Sequence, residues 1–484
     1  MSSYVLDLVS VTFTDRCCVG CLAIDVLSDD VLIYIFNLYR QDLECRSRND
    51  YESPSWSWSW HQWRALAHVC QRWRHIIFVW PNYLGVQIHC GSRTAAAKAL
   101  DVWPALPITI EGMSFHKDGD GIIDVLEHRD RIVGINLPQL TIPQLKTCAT
   151  LMQEPFPILR TLSLGCNAEM TPVISNMFLG GSAPRLQRIK LWGVPFPTLP
   201  KFLLSTRGLV KLRITDIPST GYIPPDVMAT SLAMLTRLRS VWIGFLSGSS
   251  FPKKLTTQCP PPSTCTVLPA LTAFTFGGVS EYLEDLMTRI DAPLLDNLDL
   301  QFFDQPTSGV PQLPQIIHRI EKFKTPHKAD ICFYYYGARI SLTSGCLIGG
   351  GRLHLEFECD GLGRQLSLLE QVFSQCFYLL SHVDALELFD VDIQAYQDST
   401  LWLPFLRPFI AVRTLLFHDP RSMDQIAEVL GDLTEERAAE VLPMLRTIQW
   451  VPDFDWDQVE PWLIPILQPF IDAREISCHP VEVP

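Results

Sequence analysis

Charge is scarce in this chain of 484 residues, and cations are scarcer than anions. Only 19% of residues are charged, with 39 Lys plus Arg against 52 Asp plus Glu and a formal net charge of −13. A general nucleic-acid binder needs a basic footprint and an anionic-membrane binder a polybasic run, so neither partner is expected. Long apolar runs are missing too: no segment reaches the ~18–20 consecutive apolar residues of a membrane span. Residues 1–15 hold no Lys or Arg ahead of an apolar run, so no secretory signal is expected either.

Catalytic signatures are also absent. There is no Gly-x-Ser-x-Gly, His-Glu-x-x-His or kinase pattern. The glycine run Gly349-Gly350-Gly351 is followed by Arg352 rather than Lys-Ser/Thr, so it is no phosphate loop. The 12 histidines stand singly, and His68 and His75 face no carboxylate or thiol at helical spacing. Cys18 and Cys21 form one C-x-x-C without the second pair that a four-ligand zinc site needs. Cys259 and Cys265 bracket a Pro-rich loop. The 15 cysteines are odd in number and scattered, as expected of reduced thiols in a cytoplasmic or nuclear protein. No catalytic, cofactor-binding or metal-binding residue is therefore expected, and the chain does not read as an enzyme.

What the chain does have is core material: 47% of it is hydrophobic. Three parts follow one another: a poorly specified leader (1–22), a small helical unit (23–84) and a long repetitive region (85–484). The first 84 residues carry 7 basic and 9 acidic residues, so most of the negative charge belongs to the repeats.

The helical unit opens at Ser28-Asp29-Asp30. Ser28 suits an N-cap, and the two Asp residues suit the positive end of a helix dipole. Leu32, Phe36 and Tyr39 form one apolar stripe and Val31, Ile35 and Leu38 a second beside it. One stripe can face an internal core and leave the other for a partner. Residues 44–59, with alternating Trp56 and Trp58, read as an inserted loop, and a second helix is expected over 63–78, stopped by Pro81.

Leu27-Ser28-Asp29-Asp30-Val31-Leu32 through Ile35-Phe36, followed by Val69-Cys70-Gln71-Arg72-Trp73-Arg74, resembles an F-box. With the Trp-rich insertion and Asp101-Val102-Trp103-Pro104, it is similar to families expanded in mushroom-forming fungi. Ser28 stands where that family usually has Pro, and the insertion lengthens the spacing between its helices. The resemblance implies docking on the Skp-type adaptor of a cullin-RING ubiquitin ligase. The residues matching the adaptor-facing positions are Leu27, Ser28, Asp30, Val31, Leu32, Ile35 and Phe36, then Val69, Cys70, Trp73 and Arg74. The alternative reading is a helical cap with a vestigial F-box.

Beyond residue 85 a short phrase returns, with Leu or Pro ahead of alternating apolar residues. Leu159-Arg160-Thr161-Leu162-Ser163-Leu164 and Leu186-Gln187-Arg188-Ile189-Lys190-Leu191 are two copies. Anchors recur near Val86, Ile108, Ile132, Leu159, Leu186, Leu209, Leu238, Leu271, Leu295, Ile331, Leu353, Val383, Val412, Leu445 and Arg474. The mean spacing is close to 28, the scale of a leucine-rich repeat. Helices are expected between them at 142–154, 281–290, 367–380 and 423–430. The expected fold class is thus α/β: a small N-terminal helical F-box and an irregular leucine-rich-repeat solenoid with a parallel sheet on its concave side. An irregular α/β fold with the same rhythm is the alternative.

Residues 421–460 hold 10 acidic and 3 basic residues with aromatics between them. Asp453, Asp455, Asp457 and Trp456 are candidates for binding a basic partner segment. Together these readings describe a non-catalytic substrate-recognition subunit of an SCF-type (Skp-cullin-F-box) ubiquitin ligase. It would be joined to a cullin through the adaptor and would hold a target protein on the repeats, with no cofactor. The alternative is a protein-interaction scaffold outside any ligase.

Overall fold

A computed structural model describes residues 26–47, 66–80, 88–90, 106–112, 124–166, 171–251, 265–303, 313–345, 350–359, 361–391, 402–418, 420–433, 440–450, 456–477 and 479–483. The chain divides into two compact units. One holds Met1–His89 with Val102–Pro107, and the other holds Cys90–Asp101 with Ile108–Pro484. The expected leader, 1–22, lies outside the described residues.

In the first unit, helix α1 spans Asp29–Ser47. Ser28 Oγ accepts from Val31 N at 3.4 Å, and both first-turn Asp residues are present. No Gly or Pro interrupts the segment, so the helix continues through 44–47, where the sequence pattern places the start of the insertion. The second helix starts later than expected. Cys70 is extended (φ −154, ψ 170), and its Sγ accepts from Trp73 N at 3.4 Å. Cys70 is thus an N-cap and α2 spans Gln71–Val79, while residues 66–67 are helical and separated from it by a turn at 68–69.

The Val-Cys-x-Arg-Trp-Arg block holds this unit together. Arg72 pairs with Asp29 at 2.7 Å and also donates to Leu27 O. Trp73 packs edge-on to Phe36 at 4.9 Å, and Arg74 Nε donates to Ala67 O at 3.0 Å.

The second unit is mixed α/β, built on one large, mostly parallel sheet. Strand β1 (Ile88–Cys90) falls at the boundary between the units, and in chain order the second unit continues with β2 (Ile108–Glu111), β3 (Ile132–Leu137), β4 (Thr161–Gly165), β5 (Arg188–Trp192), β6 (Lys211–Ile217) and β7 (Ser240–Phe245). There follow β9 (Ala273–Gly278), β11 (Asn297–Phe302), β12 (Lys328–Tyr334), β13 (Gly337–Thr343), β14 (Arg352–Glu358), β15 (Ala385–Val391), β16 (Thr414–Phe417) and β17 (Thr447–Trp450). β8 (Thr266–Val267) and β10 (Ile290–Asp291) form a separate two-stranded sheet.

Every anchor from Ile108 to Leu445 falls at or just ahead of a strand of the large sheet. The leucine two residues ahead of the strand is buried in copy after copy: Leu159, Leu186, Leu209, Leu238, Leu271 and Leu295. Inside the strands, register aligns Leu162, Ile189, Leu212, Val241, Phe274, Leu298 and Leu353 into one buried row. Each such side chain contributes about 1.5–3 kcal/mol by leaving water. Connecting helices cover this side: Ser280–Thr288 packs on β9, Leu362–Gln375 on β13, and Pro420–Gly431 on β15 and β16.

Two expectations need correction. The sheet is not wholly parallel. Its order runs β11-β14-β13-β12-β15, so β12, β13 and β14 form an antiparallel meander laid in reversed order. β13 has no counterpart among the expected copies. A tight turn at Tyr335-Tyr336 reverses the chain before a helix can form, and only β14 reaches β11 in parallel register. The last anchor, Arg474, lies on a helix, Trp456–Ile476, rather than a strand. Its guanidinium is buried and donates to the carbonyls of Pro443 and Leu445. Val86 itself lies outside the described residues, and strand β1 (Ile88–Cys90) follows it two residues on.

Candidate functional site

Two surfaces concentrate groups that the molecule does not use for its own packing. On α1 the two expected stripes separate over its first two turns, but Tyr39, expected in the core stripe, is 40% exposed. Leu32 and Phe36 are each only 1% exposed, whereas Val31 (43%), Tyr34 (64%), Ile35 (42%) and Leu38 (47%) face solvent. Val69 is exposed as well. Exposed apolar side chains in such density mark an interaction surface more often than a monomer's ordinary exterior.

The residues of the expected adaptor-facing set fall in different places. Leu32 and Phe36 belong to the core of the unit, Trp73 packs on Phe36, and Cys70 is a cap. Leu27 and Arg74 take part in backbone-tying hydrogen bonds, through the Leu27 carbonyl and the Arg74 side chain. Ser28, Asp30, Val31, Ile35 and Val69 are exposed.

The second surface is the face of the large sheet opposite the helices. Side chains at alternate strand positions line it. Over β5 and β6 these are Arg188, Lys190 and Trp192, then Lys211, Arg213 and Thr215. Register places Arg188 directly beside Lys211 and Lys190 directly beside Arg213. Like charges facing each other across neighbouring strands are destabilising, so this grid costs the fold something.

Arg213 lies over the Trp242 ring of β7, with Cζ 3.6 Å from the ring centroid. Its Nε is buried and has no hydrogen-bond partner among the described residues. Partial burial lowers the pKa of both Lys190 and Arg213. The Arg213 charge lowers Lys190 further, while Asp216 partly offsets the effect at Arg213. Just beyond, β6 carries a bulge, with Asp216 in the left-handed region at φ 54, a conformation Asp tolerates better than most residues.

None of Arg188, Lys190, Lys211 and Arg213 forms an ion pair among the described residues. Composition alone could have found them. Residues 160–240 hold 10 basic and 3 acidic residues in a chain whose net charge is −13. The whole-chain balance conceals that local excess.

Farther along the same face, β12 to β15 carry both signs, and several of the charges pair with opposites. Lys328 bridges Asp330 (3.0 Å) and Glu387 (2.7 Å), and His418 reaches Glu387 at 3.0 Å. Glu356 accepts from Tyr334 OH at 2.5 Å and from Arg339 at 3.3 Å, with His354 Nε2 at 3.9 Å. His354, the Tyr334 hydroxyl and Arg339 together hold the Glu356 carboxyl down at about 2, against the opposing effect of burial. Burial instead pushes Asp299 and Asp330 up.

Of the acidic candidates near the C-terminus, Asp453 and Asp455 lie outside the described residues, and Trp456 and Asp457 open the helix Trp456–Ile476. Among the described residues no group of three or more His, Cys, Asp or Glu side chains is placed to hold a metal ion. Nor is any helix among them long and apolar enough to cross a membrane. Burial pushes the thiols of Cys148 and Cys376 up to about 11 and about 12, which leaves both unreactive.

No known family model matches the chain, and no curated protein matches it. Among solved structures it is similar to the leucine-rich repeat-containing protein LegL7 from Legionella pneumophila. Identity is 11% over 81% of this chain and 97% of that one, with a TM-score of 0.28. A likeness of that size carries no argument about what this chain binds.

Proposed function

We propose that this chain is a non-catalytic substrate-recognition subunit of an SCF-type ubiquitin ligase. The first unit would dock on a Skp-type adaptor and so reach a cullin, and the open face of the sheet would hold a target protein. The observation that carries this reading is the division of labour on α1. The Leu32–Phe36 stripe is spent on the unit's own core, and the Val31–Ile35–Leu38 stripe is left apolar and exposed. The sheet supplies what a receptor needs of its other end. It is a long open face on a backbone held by continuous ladders, with side chains pre-positioned at fixed spacing.

Co-expression with a Skp-type adaptor, followed by size-exclusion chromatography, tests the proposal. A one-to-one complex is expected, and Val31→Asp with Ile35→Asp should abolish it while far-ultraviolet circular dichroism stays unchanged. Leu32→Asp with Phe36→Asp is the wrong control, because it places charge in the core. Failure of the wild-type chain to bind any Skp-type adaptor would overturn the ligase reading and leave a scaffold.

A further inference from the structure

The four cations on β5 and β6 stay together at a cost. Each faces another cation across the ladder, none forms an ion pair among the described residues, and Arg213 is held in place by stacking on Trp242. A fold selected only for stability would replace one member of each pair, since surface strand positions accept neutral residues readily. The groups form a grid. Neighbouring strands are about 4.8 Å apart, and alternate residues of one strand about 6.6 Å apart. Trp192 lies at one end of the grid, and Arg160 and Arg239 lie just ahead of β4 and β7 at the other.

The geometry points to an acidic segment of a partner protein as the occupant. It would be an extended stretch with Asp or Glu at alternate positions, seated on Arg188, Lys190, Lys211 and Arg213 with an apolar or aromatic residue against Trp192. Alternate side chains of an extended peptide share the roughly 6.6 Å spacing of Arg188 and Lys190, so two carboxylates can meet two cations without bending the chain. This deepens the proposed function: it rests on the sheet face as the partner-binding surface and is independent of adaptor docking.

A nucleic acid fits less well. The cationic grid is only two strands wide. β9 beyond it presents Ala273 and Thr275, and β11 presents Asp299. A longer polyanion would run onto carboxylates of a chain whose net charge is −13.

The test uses the full-length chain and fluorescence anisotropy at about 50 mM salt. The probes are a fluorescein-labelled Gly-Glu-Val-Glu-Val-Glu-Trp-Gly peptide, its Lys-for-Glu counterpart and a 12-mer of oligo(dT). The Glu peptide should bind saturably and the Lys peptide should not. Arg188→Gln with Arg213→Gln should weaken the Glu peptide by about tenfold or more, the size expected for losing charge-assisted hydrogen bonds. Glu387→Gln, in the paired part of the face, should leave binding unchanged.

Lys190→Gln guards against a merely structural effect: it should weaken the peptide yet raise the unfolding midpoint. Three results would overturn the inference. They are no saturable Glu-peptide binding below about 1 mM, binding indifferent to Arg188→Gln/Arg213→Gln, and tighter binding of oligo(dT) through the same residues. The adaptor complex, measured on the same variants, separates the two readings. Retained adaptor binding with no peptide binding defeats this inference alone, whereas lost adaptor binding by the wild type defeats the ligase reading alone.

Discussion

The sheet's open face is two surfaces built on one plan. Over β5 and β6 the outward positions carry cations that meet each other, with Arg213 over Trp242 of β7. Over β12 to β15 they carry acids and bases that meet their opposites, with Lys328, Asp330 and Glu387 in one group and Tyr334, Arg339, His354 and Glu356 in another. The inward rows of the two regions are alike, apolar and buried in both. The backbone therefore does not dictate how outward charges are arranged, because a strand position has the same geometry whichever residue fills it. One region uses its polar groups to stabilise itself, and the other leaves them for a partner.

The comparison predicts equal dependence on the shared core. Phe245→Ala on β7 removes a buried ring packed edge-on to Tyr282 at 4.9 Å, and Leu355→Ala empties a buried position on β14. The first should cost about 3–5 kcal/mol and the second about 2–5 kcal/mol by denaturant unfolding. If either variant unfolded in its own separate transition, the two regions would not share one cooperative core.

The outward positions should respond in opposite senses. Glu356→Gln takes the acceptor charge from Tyr334 and Arg339 and should destabilise by about 1–3 kcal/mol. Acid should reproduce that loss. The Glu356 carboxyl is held at about 2 rather than its ordinary 4.5, so its contribution is complete above about pH 4.5 and disappears as pH falls towards 2. A plot of the stability difference between wild type and Glu356→Gln against pH should close over that interval. A difference that persists at pH 2 would mean the side chain acts through shape rather than charge.

The smallest effect has the reverse sign. Lys190→Gln relieves repulsion with Arg213 and should stabilise by about 0.2–1 kcal/mol, visible as a higher thermal midpoint. At about 0.5 M salt the gain should shrink, because screening weakens the repulsion it removes. Destabilisation instead would erase the contrast between the two regions.

The repetitive organisation is legible in the amino-acid sequence. Alternation at period two, with a leucine two residues ahead of β2 and of β4 to β7, locates these strands and several later ones, and the spacing between copies marks where helices can lie. The split of α1 into two stripes is legible for the same reason, since 3.6 residues per turn sets which side chains share a face. The cationic grid escapes a reading of total charge, although a running charge count over 160–240 exposes it. Summing charge over the whole chain hides a basic excess inside an acidic total.

Local periodicity determined which residues alternate, where the turns fall and which leucines are buried, because each depends on backbone geometry within a few residues. Tertiary structure alone decided the rest. That β14 rather than β12 lies beside β11, and that Arg474 caps the last turns from within a helix, follows from which edges the chain can reach. That Lys190 faces Arg213, 23 residues away, while Lys328 reaches diagonally to Glu387, the register partner of Asp330, depends on strand register. Register is set by burying the apolar rows of successive strands together, a condition imposed on many strands at once and not written in any one of them.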